Sequence, residues 1–150
     1  MGDRADPAAN PAFDPVRLAH LLSGLGHNRL LGLTYVAHGA EGFDLRLPYA
    51  DALVGDPETG ILASGPIVAL MDMASSMAIW TRYGDFTPLA TLDLRVDYLR
   101  PARAGCDVIG RAICYRLTRR IAFVRGQAHD GDPDDPVAHI AGTFMFTDAA

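Results

Sequence analysis

The apolar positions of this chain change period along its length. Leu18, Leu21, Leu22 and Leu25 recur at helical spacing after Asp14-Pro15, which predicts a short amphipathic helix ending near Gly26. Residues 33–37 and 43–47 predict two strands, joined by the Gly-containing turn His38-Gly39-Ala40-Glu41-Gly42. Residues 48–64 form a long turn-rich loop with Gly55-Asp56-Pro57 and Thr59-Gly60 as breakers. A nearly continuous apolar stretch follows, PIVALMDMASSMAIW from Pro66 to Trp80, which predicts a helix over roughly 65–83 closed by Gly84. The period then falls to two. Thr91-Leu92-Asp93-Leu94-Arg95-Val96-Asp97-Tyr98 alternates strictly, as a half-buried strand does, until Pro101 and Gly105 end it. Residues 106–117, 121–129 and 137–147 complete an antiparallel meander that turns at Arg119-Arg120 and at residues 131–136. A helix apolar on most of its surface must be covered, so the sheet curls around it. The prediction is an α+β chain with a loose arm over residues 1–13 and a single domain over 14–150.

One carboxylate, Asp72, lies inside the apolar helix, and only Ser75 and Ser76 otherwise break the run. Burying a charge costs several kcal/mol unless it is paired, so this acid is either satisfied by partners or kept for chemistry. Gly65-Pro66 marks the helix entrance, with proline where its missing N–H costs nothing. Free backbone N–H groups at such an entrance hold developing negative charge. A carboxylate and an anion-holding helix end in one segment point to an enzyme.

The hydrophobic content of 49% suits one ordinary domain with a sizeable core. The apolar helix is too short and too interrupted to span a bilayer, and the start MGDRADPAANPAFDP has no apolar leader, so a cytoplasmic protein is expected. Cys106 and Cys114, on one strand, would sit about 26 Å apart at 3.3 Å per residue and on one face, as reduced thiols. The five histidines show no ligand spacing; His129 and His139 can at most face each other across a hairpin. The acidic 131–136 turn lacks the loop length and distal Glu of a calcium site and reads as a solvated tip.

Charge is uneven. Residues 95–125 hold eight arginines against Asp97 and Asp107, a net +6 inside a chain of net −5 that has no lysine. A phosphate-bearing ligand suits the bidentate fork of arginine; solvated outer-face arginines are the simpler account. An acidic chain without interleaved aromatics argues against a nucleic-acid surface.

Three stretches resemble a known family: TGILASGPIVALMDMASSMA at 59–78, TLDLRVDYLRPARAG at 91–105 and CYRLTRRIAFVRGQA at 114–128. With the order of elements, they are similar over roughly residues 30–147 to the hotdog-fold acyl-CoA thioesterases of the phenylacetate-degradation (PaaI-like) type. The resemblance implies a long central helix wrapped by a curved antiparallel sheet. It also implies hydrolysis of a small or medium acyl-CoA by a homodimer or homotetramer. No metal or separate cofactor is implied, since coenzyme A belongs to the substrate, and neither nucleic acid nor membrane is a partner. Asp72 matches the family's general base or nucleophile, Ser64 or Gly65 the backbone oxyanion donor, and Thr91 a water-positioning hydroxyl. Two positions depart from the family: Ala63-Ser64-Gly65 replaces His-Gly-Gly, and Pro57 replaces an Asn six residues earlier. A side-chain donor and a brace for the helix entrance go with them, and Ser64 is a partial substitute.

Ser64 or Gly65 lies seven or eight residues from Asp72, about 10–12 Å along a helix at 1.5 Å per residue. Both groups must come near 3 Å of one reacting carbonyl and its water. Two antiparallel central helices, one from each subunit, meet that demand. Ser75 and Ser76, one turn beyond Asp72, line the acyl tunnel, orient the carboxylate or simply allow close helix packing, while Arg100, Arg119 and Arg120 are candidates for the CoA phosphates. Hotdog hydratases carry a His where Met77 stands, which disfavours that activity. A non-catalytic acyl-CoA-binding or assembly protein is the alternative.

Overall fold

The computed structural model describes residues 10–40 and 42–147. Asp14 starts helix α1 (Pro15–Ser23) by accepting hydrogen bonds from the backbone N–H groups of Val16 and Arg17 at 2.9 and 3.1 Å. Gly26, the expected stop, instead opens a second short helix, α2 (Gly26–Leu31), with φ 47°. Of the arm expected over 1–13, residues 1–9 lie outside the described residues. Asn10 donates its backbone N–H to the Gly84 carbonyl at 3.1 Å, and Phe13 packs against the core.

The strands β1 (Thr34–His38) and β2 (Gly42–Leu47) pair as expected. Residues 48–64 are more ordered than a loop. They hold a 3₁₀ turn at Asp51–Leu53 and a small hairpin, β3 (Val54–Asp56) with β4 (Ile61–Leu62). Asp56 caps its turn, taking the Glu58 N–H at 3.1 Å and the Thr59 hydroxyl at 2.7 Å, and these bonds hold its carboxyl below the usual range.

The long helix α3 runs Ser64–Tyr83 and ends on Gly84, whose φ of 76° suits a residue without Cβ and whose N–H donates to the Trp80 carbonyl at 2.8 Å. Four strands follow: β5 (Leu89–Tyr98), β6 (Val108–Leu117), β7 (Ile121–His129) and β8 (Ala138–Phe146). The six long strands form one antiparallel sheet in the order β1-β2-β6-β7-β8-β5. The expected four-strand meander is therefore corrected. Only β6, β7 and β8 meander; β5 crosses the molecule to pair with β8 at the sheet's edge. The register also separates the two histidines, since His129 faces Ile109 and His139 faces Gln127. Cys106 precedes β6 and Cys114 is buried within it, so the two thiols do not share a strand face.

The core lies between α3 and the sheet. Leu70, Met71, Ala74, Met77 and Ala78 of α3 meet a sheet face that buries Phe43, Leu45, Leu47, Val108, Ala112, Val124, Ala128 and Phe144. Each large aliphatic side chain buried this way contributes about 1.5–3 kcal/mol. Close approach of helix to sheet depends on Gly110, where a Cβ would stand 2.8 Å from both Leu70 Cγ and Met71 Sδ. A long helix wrapped by a curved antiparallel sheet is the hotdog arrangement that the resemblance implies. No helix among the described residues is long and apolar enough to cross a membrane.

Candidate active site

Asp72 sits midway along α3, half-buried at the side of the helix that β5 flanks. Thr91, near the start of β5, donates its hydroxyl to Asp72 Oδ1 at 2.8 Å. Among the described residues Oδ2 receives no hydrogen bond, so one carboxylate oxygen is fixed and the other is open. That division suits a base: the threonine sets the orientation of the carboxylate while a proton-accepting lone pair is left available.

The helix entrance lies at the far end of the same strand. Ser64 and Gly65 are exposed. Ala63, the N-cap residue, offers no side-chain acceptor, and Pro66 has no N–H, so no capping side chain competes for the Gly65 N–H. The chain before the helix is held in place by the Ala63 N–H on the Leu53 carbonyl at 2.9 Å and by the Tyr49 hydroxyl on the Gly60 carbonyl at 3.0 Å. Tyr98, at the end of β5, donates its hydroxyl to the Ser64 carbonyl at 3.1 Å. Both ends of β5 therefore touch α3, one at Asp72 and the other at Ser64.

The other candidates fall elsewhere. Ser75 is fully buried and its hydroxyl finds no partner among the described residues, whereas Ser76 is half-buried. Arg119 and Arg120 are exposed in the β6–β7 turn and form no ion pair with a described residue. The Phe146 N–H donates to the Arg120 carbonyl at 2.9 Å and Phe146 pairs with Leu89, which puts this turn at the Thr91 end of the sheet. Arg100 lies at the other end and is engaged within the chain. Its guanidinium grips Asp130 in two bonds of 2.9 and 2.7 Å and reaches the Asp135 carbonyl at 2.6 Å.

Asp130 is the residue that the sequence reading missed. Its side chain is 0% exposed, and the carboxylate also takes the Arg103 N–H at 2.7 Å and Arg103 Nη2 at 3.1 Å. The Arg100 bonds, joined by those from Arg103, hold its carboxyl far below the usual range. A second pair, Arg111 with Asp44, spans β6 and β2 at 2.9 Å. Three arginines of the basic window are thus neutralised by acids from outside it, so the window is not one open patch. Two cavities of about 310 and 450 Å³ on the sheet share Arg111 and Ile113, and neither includes Asp72 or Thr91. Among the described residues no group of His, Cys, Asp and Glu gathers to hold a metal ion.

Comparisons with known proteins converge. The family model described as the thioesterase superfamily matches residues 59–137. The medium/long-chain acyl-CoA thioesterase YigI of Escherichia coli K12 is 27% identical over 131 residues, covering 79% of this chain and 83% of that protein. A crystal structure of a Pseudomonas aeruginosa protein superposes with a TM-score of 0.80 at 42% identity, over 89% of this chain and 100% of the other. A thioesterase from Haemophilus influenzae shares the fold, with a TM-score of 0.78 at 23% identity over 91% of this chain and 92% of that one.

Proposed function

We propose that this chain, which belongs to the thioesterase superfamily and is a thioester hydrolase, cleaves acyl-CoA with a small or medium acyl group at a site completed by a second copy of itself. The observation that carries this reading is the Thr91–Asp72 hydrogen bond of 2.8 Å, which leaves one carboxylate oxygen open on a half-buried helix face. That the Escherichia coli relative is a medium/long-chain acyl-CoA thioesterase supports acyl-CoA as the substrate class, and medium length is common to it and to what the sequence implies.

In the proposed reaction Asp72 removes a proton from water, and the water oxygen attacks the thioester carbonyl carbon. The Gly65 N–H of the partner's helix entrance receives the developing oxyanion. The carbonyl re-forms, the carbon–sulfur bond breaks, and the thiolate of CoA leaves. Asp72 acting as a direct nucleophile needs the same groups. Within one α3, about 10–12 Å separates Gly65 or Ser64 from Asp72 at 1.5 Å per residue, which calls for two antiparallel helices. β5 supports such pairing: its outer edge has no strand partner among the described residues, and Leu92 beside Thr91 is exposed.

The test is thiol release from a panel of acyl-CoA esters, with Asp72→Asn alongside and the assembly state read by light scattering. Turnover by the wild type that falls at least about a hundredfold in Asp72→Asn is the expected result for loss of a base or nucleophile. Near-normal turnover in the variant would make Asp72 structural. Binding of acyl-CoA without release by the wild type would favour a non-catalytic binder.

A further inference from the structure

The first peptide unit of α3 has a partner that the proposed chemistry does not use. Tyr98 donates its hydroxyl to the Ser64 carbonyl at 3.1 Å, and the atom next along the chain is the Gly65 nitrogen. A trans peptide is planar, with its C=O and N–H pointing in opposite directions. A hydrogen bond that fixes the carbonyl therefore fixes the direction of the N–H. No side chain caps this helix, so Tyr98 is the one side chain among the described residues that braces the Ser64–Gly65 peptide, adding to the hold of the helix's own backbone ladder. We propose that Tyr98 is a positioning residue for thioester hydrolysis, its hydroxyl holding the Ser64–Gly65 peptide so that the Gly65 N–H faces the oxyanion. This rests on the acyl-CoA hydrolase reading above, in which Gly65 is the oxyanion donor.

Three features fit the role. Tyr98 is presented from an anchored strand end: it pairs with Ala138, the Leu99 N–H donates to the Val137 carbonyl at 2.8 Å, and Arg100 follows with its double grip on Asp130. A group held on such a support positions its target more sharply than one on a free loop. The bond also polarises the peptide, since a carbonyl that accepts a hydrogen bond makes its own N–H a stronger donor. Finally, partial burial pushes the phenol up from its usual range, so at neutral pH it keeps the proton it donates. Among the described residues, no other side chain hydrogen-bonds to this peptide.

Tyr98→Phe removes the hydroxyl and keeps the ring. Loss of a whole oxyanion donor costs about 10²–10³ in kcat, so loss of its alignment, with the N–H still present, is expected to cost about 5- to 30-fold. The thioester carbonyl carries little charge before attack, so KM for acyl-CoA stays within about twofold. An S-alkyl-CoA thioether, which has no carbonyl, is the probe of ground-state binding, and its inhibition constant is expected to be unchanged. A fall in kcat with thioether binding intact supports the proposal. If kcat stays within twofold while Asp72→Asn abolishes turnover, the positioning role is wrong and the hydrolase reading stands. A fall in kcat matched by equal loss of thioether binding makes Tyr98 a substrate contact and also overturns the proposal. Release from no acyl-CoA by the wild type overturns both readings together.

Discussion

Replacing Asp130 with asparagine keeps its shape and removes its charge, which tests the ion-pair cluster behind β5. The carboxylate accepts four hydrogen bonds at 2.7–3.1 Å from Arg100 and Arg103 and is 0% exposed. Removing one partner of a buried pair costs about 3–5 kcal/mol. The arginine side chains are 23% and 60% exposed and recover part of their hydration, which places this case at the low end, about 3 kcal/mol. With an m-value of about 2 kcal/mol/M, the urea midpoint should fall by about 1.5 M at neutral pH and one fixed protein concentration. The pH dependence follows from the sign of the shift. The folded carboxyl lies well below its usual 3.8, so its contribution is complete above that value and is lost as pH falls toward the folded pKa. The gap between wild type and Asp130→Asn should therefore be constant from pH 5 to 8 and narrow by roughly 1.4 kcal/mol per unit below 3.8. A gap equally wide at pH 7 and pH 3 would mean that the ionised carboxylate is not what stabilises this corner.

Thr91→Val should lower kcat about tenfold, less than Asp72→Asn, because a hydrogen bond to a charged group contributes about 1.5–3 kcal/mol and the carboxylate itself remains; a variant as inactive as Asp72→Asn would give the hydroxyl a direct chemical step. Arg119→Ala combined with Arg120→Ala should raise KM for acyl-CoA in a salt-dependent way and leave a short acyl-thiol analogue unaffected, if these exposed cations, which form no ion pair with a described residue, meet the CoA phosphates as proposed; equal loss on both substrates would point to assembly instead. Gly110→Val should cost about 1–3 kcal/mol in urea unfolding, because its new atoms meet Leu70 and Met71 in a full core; an unchanged midpoint would mean that α3 shifts freely on the sheet.

The long elements were legible because their signals are local. Twenty residues of α3 between an uncapped proline entrance and Gly84, and the strict alternation of 91–98, need no knowledge of neighbours. The β3–β4 hairpin was hidden because its strands are three and two residues long, one carries Gly55, and Pro57 and Gly60 lie in the turn between them, all residues that otherwise signal loops. Helix α2 was hidden by a glycine that begins a helix instead of ending one. The ion pairs joining Asp44 to Arg111 and Arg100 to Asp130 bridge residues 67 and 30 positions apart, and a single sequence does not say which arginine meets which acid. Tyr98 was read as a strand residue within a family motif, while its bond to Ser64 depends on where β5 lies against α3 and is visible only in three dimensions.

The placement of β5 has a consequence for how this chain is made. β5 pairs with β8, not with β6, so Leu89 must wait for Phe146, nearly sixty positions downstream, before its backbone groups are satisfied. During synthesis β5 leaves the ribosome well before its partner exists, and contacts of such long sequence separation are slow to form. In that interval Leu92, Leu94 and Val96 lie on a strand with two open edges, the arrangement most prone to pairing with another nascent chain. The charges Asp93, Arg95 and Asp97, set at every second position between them, act as gatekeepers against that fate. β8 is then the latch of the molecule, because its arrival completes β7 on one side and rescues β5 on the other.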